Sequence, residues 1–132
     1  MIFVDTSFWV ALRNRRDPRH ELARQLLAAH ADAGLVTTNH TRGETWTFLR
    51  RRAGHPAAVG FLDTLDRSAR VRIVRVSTEL ESQALDWLRR HDEREYSFVD
   101  ATSFASMRSL RMGSALAFDG DFSAAGFTEL RV

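Results

Sequence analysis

Met1-Ile2-Phe3-Val4-Asp5-Thr6-Ser7 opens the chain with a short apolar run that stops on an acid and two hydroxyl residues. So short an apolar run is too brief for a core helix and fits a strand buried on both faces. Asp5-Thr6-Ser7 then supplies turn and cap chemistry for a short helix through Trp9, Val10 and Leu12. A strand that passes at once into a helix is the first half of a βαβ unit.

The pattern repeats along the chain. Leu22, Leu26, Leu27 and His30 recur at helical spacing after Pro18 until Gly34 ends them, and Leu35 to Thr38 reads as a second strand. Thr41-x-x-Glu44 matches a capping box and opens a helix through Trp46, Phe48 and Leu49, closed by Gly54 and Pro56. Another helix covers Ala57 to Ser68, followed by a third strand carrying Val71, Ile73, Val74 and Val76. Thr78-x-x-Glu81 begins a helix with Leu80, Ala84, Leu85 and Leu88, whose end is charged from Arg89 to Glu95. Ser97 caps the next helix, with Phe98, Ala101, Ala105 and Met107 facing inward and Gly113 as its stop. Ala115 to Phe118 is a fourth buried strand running into Asp119-Gly120-Asp121, and Thr128 to Val132 adds a fifth at an edge. The expected fold is α/β: one domain over residues 1–132, with a central, mostly parallel sheet of four to five strands flanked by helices.

Composition narrows the chemistry. Hydrophobic residues at 44% and charged residues at 27% suit a globular chain of 132 residues that buries one core. Cysteine is absent, which excludes disulfides, thiolate nucleophiles, zinc fingers and iron–sulfur clusters. All 19 basic residues are arginine, so Schiff-base chemistry and a Walker lysine are excluded, and a phospho-acceptor receiver domain, which also has strand-end acids but normally relies on a lysine, ranks well behind. No apolar run approaches a membrane span, and Asp5 interrupts the stretch where a secretory signal would need its apolar segment, so the expected location is the cytoplasm, with no membrane contact.

The net charge of +2 hides an asymmetry. Residues 1–75 carry 13 arginines against 7 acids, and residues 76–132 carry 6 against 10. Arg13, Arg15, Arg16 and Arg19 form one basic group, and Arg50, Arg51 and Arg52 another. Each group taken alone reads as a solvated helix end; together they are candidates for following a nucleic-acid backbone.

In an open parallel sheet, ligands bind beyond the carboxyl ends of the strands, where the strand order reverses. Asp5 and Asp119 sit at two such ends, and Glu44 and Asp100 lie in the opening turns of helices that start at the same edge. Each acid has an ordinary explanation as a cap, a capping-box partner, a helix-dipole complement or a turn residue. Four of them meeting is different, because unit charges ~4 Å apart repel by ~4 kcal/mol at an effective dielectric of ~20. Such a group needs a counter-cation or retained protons. Oxygen donors without cysteine favour a hard dication, Mg²⁺ or Mn²⁺. The five histidines, His20, His30, His40, His55 and His91, lack HExxH spacing. Trp9, Trp46, Trp87 and Tyr96 read first as core or interface aromatics rather than base-stacking platforms.

The order and spacing of Val4-Asp5-Thr6-Ser7, Glu44, Tyr96-Ser97-Phe98-Val99-Asp100-Ala101 and Ala117-Phe118-Asp119-Gly120-Asp121-Phe122 resemble the PIN-domain ribonucleases, and more narrowly the VapC-like toxins of bacterial toxin–antitoxin pairs. The resemblance spans nearly the whole chain. It implies a metal-dependent endoribonuclease whose catalytic acids map onto Asp5, Glu44, Asp100 and Asp119. Asp5, Asp100 and Asp119 would hold Mg²⁺ or Mn²⁺, with Asp121 as an auxiliary and Glu44 or Asp119 as the proton acceptor. Thr6, Ser7 and Ser103 are expected to orient the carboxylates. Arg13, Arg15 and Arg50 to Arg52 are expected to position RNA phosphates near the mouth. By the same resemblance the partners are RNA, a cognate antitoxin protein covering the acidic site, and a second copy in a homodimer. The competing reading is an inactive RNA- or protein-binding module on the same fold, in which the acids serve only as caps.

Overall fold

In the computed structural model, which describes all residues 1–132, five strands form one sheet in the order β3-β2-β1-β4-β5. These are β1 (Ile2–Val4), β2 (Leu35–Thr38), β3 (Val71–Val74), β4 (Ser114–Leu116) and β5 (Thr128–Glu129). Every pairing is parallel, so the sheet is wholly parallel, and the fifth strand does lie at an edge. The helices are α1 (Thr6–Arg13), α2 (His20–Ala29), α3 (Asn39–Arg52), α4 (His55–Arg67), α5 (Thr78–Arg90), α6 (Phe98–Ser109) and α7 (Asp121–Ala124).

The opening run behaves as its composition demands. Phe3 pairs with Val36 on one side and Ala115 on the other, which makes β1 the central strand. Its side chains alternate between faces. Ile2 and Val4 enter one apolar cluster with Phe8, Trp9, Leu26, Leu49 and Phe61, and Phe3 enters another with Val36, Phe104 and Phe122. Covering both faces of a parallel sheet leaves no room for polar residues in β1, hence its unbroken apolar sequence.

Three local readings are corrected. Thr41 does not cap α3: Thr38, extended at φ −114°, accepts from the Thr41 N–H at 3.0 Å, so the helix begins at Asn39 rather than after Thr41. Glu44 therefore lies in the second turn, not in a capping box. Ser77 rather than Thr78 caps α5, accepting from the Leu80 N–H at 3.2 Å. The cause is the same in both places, a hydroxyl residue still extended as the chain leaves a strand and so able to reach back to the third N–H. The third correction is α7, a single helical turn in place of a plain Asp-Gly turn. Gly120 at φ +83° reverses the chain into it, and the Glu129 carboxylate holds it by accepting from the Gly120 and Ser123 N–H groups.

No helix is long and apolar enough to cross a membrane. Trp9 and Trp87 are buried in the two clusters, consistent with the core reading of the aromatics. Phe104 is the hub of the second cluster, edge-on to Phe122 at 4.9 Å and Trp87 at 5.2 Å and stacked on Phe127 at 5.5 Å. Truncation there opens a cavity that the surrounding rings cannot fill. Phe104→Ala is expected to destabilise the chain by about 3–5 kcal/mol in urea unfolding, and a loss below about 1 kcal/mol would contradict this packing.

Candidate active site

The strand order reverses at β1, with β2 on one side and β4 on the other. A cavity of about 350 Å³ opens beyond the carboxyl ends of β1 and β4, and Asp5, Glu44, Asp100 and Asp119 all line it. These four acids, up to 114 positions apart in the sequence, thus share one hollow.

Each acid is placed by the element that carries it. Asp5 is the N-cap of α1 and only 2% exposed; its Oδ2 accepts from the Ser7 N–H at 3.2 Å and the Ser7 hydroxyl at 2.7 Å. The Ser7 oxygen in turn accepts from the Phe118 N–H at 3.0 Å, tying the end of β1 to the segment after β4. Asp100 completes a reciprocal capping box with Ser97: its Oδ2 accepts from the Ser97 N–H at 3.0 Å, and the Ser97 hydroxyl accepts from the Asp100 N–H at 2.9 Å. Asp5 and Asp100 therefore cap helices and line the cavity with the same side chains. Asp119 stands at the solvent side of the mouth, and Asp121 opens α7 beside it.

Oxygen atoms of Asp100, Asp119 and Asp121 come within 4.8 Å of one another, the tightest acidic group in the chain. Asp121, expected only as an auxiliary, thus belongs to the densest part of the cluster. Asp5 and Glu44 approach it from the other walls.

The electrostatics follow from this crowding. Burial, then the Asp119 and Asp100 charges, push the Asp5 carboxyl up to about 8 despite the two Ser7 hydrogen bonds. Burial first, then Asp121 and Asp119, push Asp100 up to about 6. Glu44 and Asp119 are also raised, each chiefly by loss of hydration, with Asp119 adding to the first and Asp121 to the second. The donor set is all carboxylate oxygen, in a hollow where proton retention is otherwise the relief, and that chemistry fits a hard dication.

Among the supporting residues, Thr6 and Ser7 do face the acids: Thr6 lines the cavity with Glu44 and offsets part of the rise in its pKa, and the Ser7 hydroxyl donates to Asp5. Ser103 does not. Its hydroxyl donates back to the Val99 carbonyl at 2.9 Å and meets the Thr41 hydroxyl at 3.4 Å, which stitches α6 to α3 instead. Arg19 and Arg52 line the acidic cavity, Arg13 and Arg15 line adjacent concavities, and Arg50 and Arg51 line none. The unexpected residue is Arg94, whose guanidinium pairs with Asp121 at 2.9 Å and donates to the Asp119 carbonyl at 3.3 Å. In the sequence it lies in the charged stretch after α5; only the return of that loop to the site separates it from its neighbours. No histidine joins the acidic group.

The PIN domain profile matches residues 2–128. The chain belongs to the PIN-domain family. This PIN-domain chain is 58% identical over 131 residues to the 23S rRNA-specific endonuclease VapC20 of Mycobacterium tuberculosis, covering 99% of the chain and 98% of that protein. It superimposes on the crystal structure of M. tuberculosis VapC20, described as a sarcin–ricin loop cleaving toxin, with a TM-score of 0.95, 56% identity and full coverage of both chains. A toxin–antitoxin complex from Klebsiella pneumoniae shares the fold at a TM-score of 0.62 and 16% identity, over 86% of this chain and 83% of that one. The resemblance read from the four acidic motifs is thereby borne out.

The raised carboxyls make a prediction with a definite sign. The folded chain binds more protons than the unfolded one from 3.8 up to about 8 for Asp5 and to about 6 for Asp100. Stability from these groups therefore falls as pH rises through that window. Cation-free protein should lose Tm from about pH 5 to about pH 8, and Mn²⁺ should restore more at the upper end. Asp5→Asn should flatten both responses in differential scanning fluorimetry; identical curves for the two proteins would contradict the assignment.

Proposed function

We propose that this chain is a divalent-cation-dependent endoribonuclease that hydrolyses RNA phosphodiester bonds and acts as the toxin of a toxin–antitoxin pair. The observation that carries the reading is the convergence of Asp5, Glu44, Asp100 and Asp119 on one cavity at the β1/β4 switch point. The near-complete match to VapC20 supports it, and the specificity of that relative makes the sarcin–ricin loop of 23S rRNA the substrate to test first. An inactive binding module has less in its favour, since caps alone would not require several carboxyls held far from their preferred ionisation.

Asp5, Asp100 and Asp119 would hold Mg²⁺ or Mn²⁺, with Asp121 at the rim. A dication bound there supplies Lewis-acid polarisation of the phosphoryl oxygen and lowers the pKa of water. Ser7 locks the Asp5 carboxylate in orientation, and the Ser97 cap does the same for Asp100, so both enter the reaction pre-positioned. Glu44 is suited to accept the proton of the attacking water at its carboxylate, because it stands outside the tight aspartate group and its basicity is raised by burial. Arg94 keeps Asp121 and the Gly120 turn in place at the mouth. The chain is proposed to work in the cytoplasm as a homodimer, silenced by an antitoxin protein that covers the acidic cavity.

Purified protein should cleave RNA with Mg²⁺ or Mn²⁺ and stop on EDTA. Asp5→Asn and Asp100→Asn keep an oxygen for their caps, so they should abolish cleavage while leaving the circular dichroism spectrum unchanged. Glu44→Gln should lower the rate by about 10²–10⁴-fold while retaining Mn²⁺ binding in calorimetry. Cleavage undiminished in both aspartate variants would end the reading. Expressed with its neighbouring reading frame, the chain should co-purify with a small partner and, alone, elute at dimer mass in light scattering; free monomer in both cases would remove the partner claims.

A further inference from the structure

Next to the acidic cavity lies a second concavity of about 480 Å³, and Arg52 lines both. Four of its seven lining residues are arginines, Arg13, Arg15, Arg16 and Arg52, and none is an acid. All four are exposed, and none takes part in an ion pair. Arginine at a helix C-terminus is ordinary, and that accounts for Arg13 and Arg52 taken singly. It does not account for two helix ends and the turn after α1 converging on one unneutralised hollow.

The hollow is built rather than incidental. The turn after α1 is held by its own side chains: Asn14 Oδ1 accepts from the Arg16 N–H at 3.2 Å, and Asp17 Oδ1 accepts from the Arg19 N–H at 2.8 Å. Arg52 lies over the Phe48 ring at 4.8 Å, and Phe48 lines the acidic cavity, which sets that guanidinium at the border between the two hollows. The uncapped start of α4 at Gly54 brings the positive end of a helix dipole to the same wall.

The chemistry of the hollow selects its occupant. Only one of its lining residues is hydrophobic, so a protein segment docking there would have almost nothing apolar to bury. A phosphodiester backbone needs no apolar floor and is matched by planar guanidinium forks. A strand whose scissile phosphate sits among the acids must also carry its next phosphates away from Asp17 and Glu95, which line the acidic cavity as well. We propose that Arg13, Arg15, Arg16 and Arg52 form a phosphate-binding subsite that holds the RNA strand on one flank of the cleavage site. The subsite rests on the ribonuclease reading. It positions the backbone without reading bases, and it assigns Arg50 and Arg51 no part.

The test measures binding apart from cleavage. In the Asp100→Asn background, fluorescence anisotropy of a labelled RNA hairpin is followed from low to moderate KCl. Adding Arg15→Ala and Arg16→Ala together should weaken binding about tenfold or more and lower the salt slope by ~0.7 for each phosphate left without its guanidinium, whatever the RNA sequence. Arg50→Ala with Arg51→Ala removes the same charge from a place outside the hollow and should lower the slope by less than half as much. Equal slopes for the two pairs overturn the subsite, as does unchanged RNA affinity with weakened capture of the co-purified partner, which would give the hollow to an acidic protein segment. Mn²⁺ calorimetry on the two arginine pairs in an otherwise unmodified chain should match the parent, and loss of Mn²⁺ binding there would overturn a role confined to RNA. Failure of the ribonuclease reading is separate, because it appears as no RNA cleavage by the unmodified chain.

Discussion

The structure turns on carboxylates crowded at the carboxyl edge of a parallel sheet, in a hollow that buries Asp5 and Asp100 away from water and has too few cations of its own to balance the group. Arg94 answers only Asp121 directly. Asp5 is held by hydrogen bonds that would favour its charged form, yet burial and its acidic neighbours outweigh them. A dication held among these carboxylates would turn the same repulsion into affinity.

The rest of the fold serves to hold that edge still. The alternation of β1 sends Phe3 into one core and Ile2 and Val4 into the other, so the strand bearing Asp5 is clamped from both faces. Ser7 fastens the site across β1 and β4 by donating to Asp5 while accepting from the backbone of Phe118. Glu129 does the same for the opposite wall: it anchors the first turn of α7, and Arg131 bridges Glu129 to the Ala117 carbonyl. These bonds join segments distant in sequence by a few strong polar links, which is how a small domain can keep carboxylates in register against their own repulsion.

Parallel strands are legible because each is a short apolar run followed by cap chemistry, and both signals are local. The misplaced caps at Thr41 and Thr78 come from the capping-box spacing to Glu44 and Glu81, which the hydroxyl residues that do cap, Thr38 and Ser77, lack; which hydroxyl caps depends on how far the chain stays extended after the strand, and the sheet decides that. The turn at Gly120 is readable, but α7 is not, because a single helical turn has too few residues for periodicity and survives only through Glu129, contributed by an edge strand. Ser103 lies three residues past Asp100 on the same helix and so reads as a neighbour of the site; the helix instead gives its hydroxyl a carbonyl one turn back.

By itself the sequence determined the alternation of strands and helices, the exclusion of thiol and lysine chemistry, and the placing of Asp5, Asp100 and Asp119 at the ends of elements, since hydrophobic period and residue type act over a few neighbours. Tertiary structure alone decided that Asp121 joins the tight oxygen group, that Arg94 faces it across 27 positions of chain, and that Arg52 rather than Arg50 or Arg51 borders the cavity. Those outcomes depend on the direction in which whole elements aim their side chains. Direction is set by packing across the sheet, and no stretch of residues contains it until the sheet has closed.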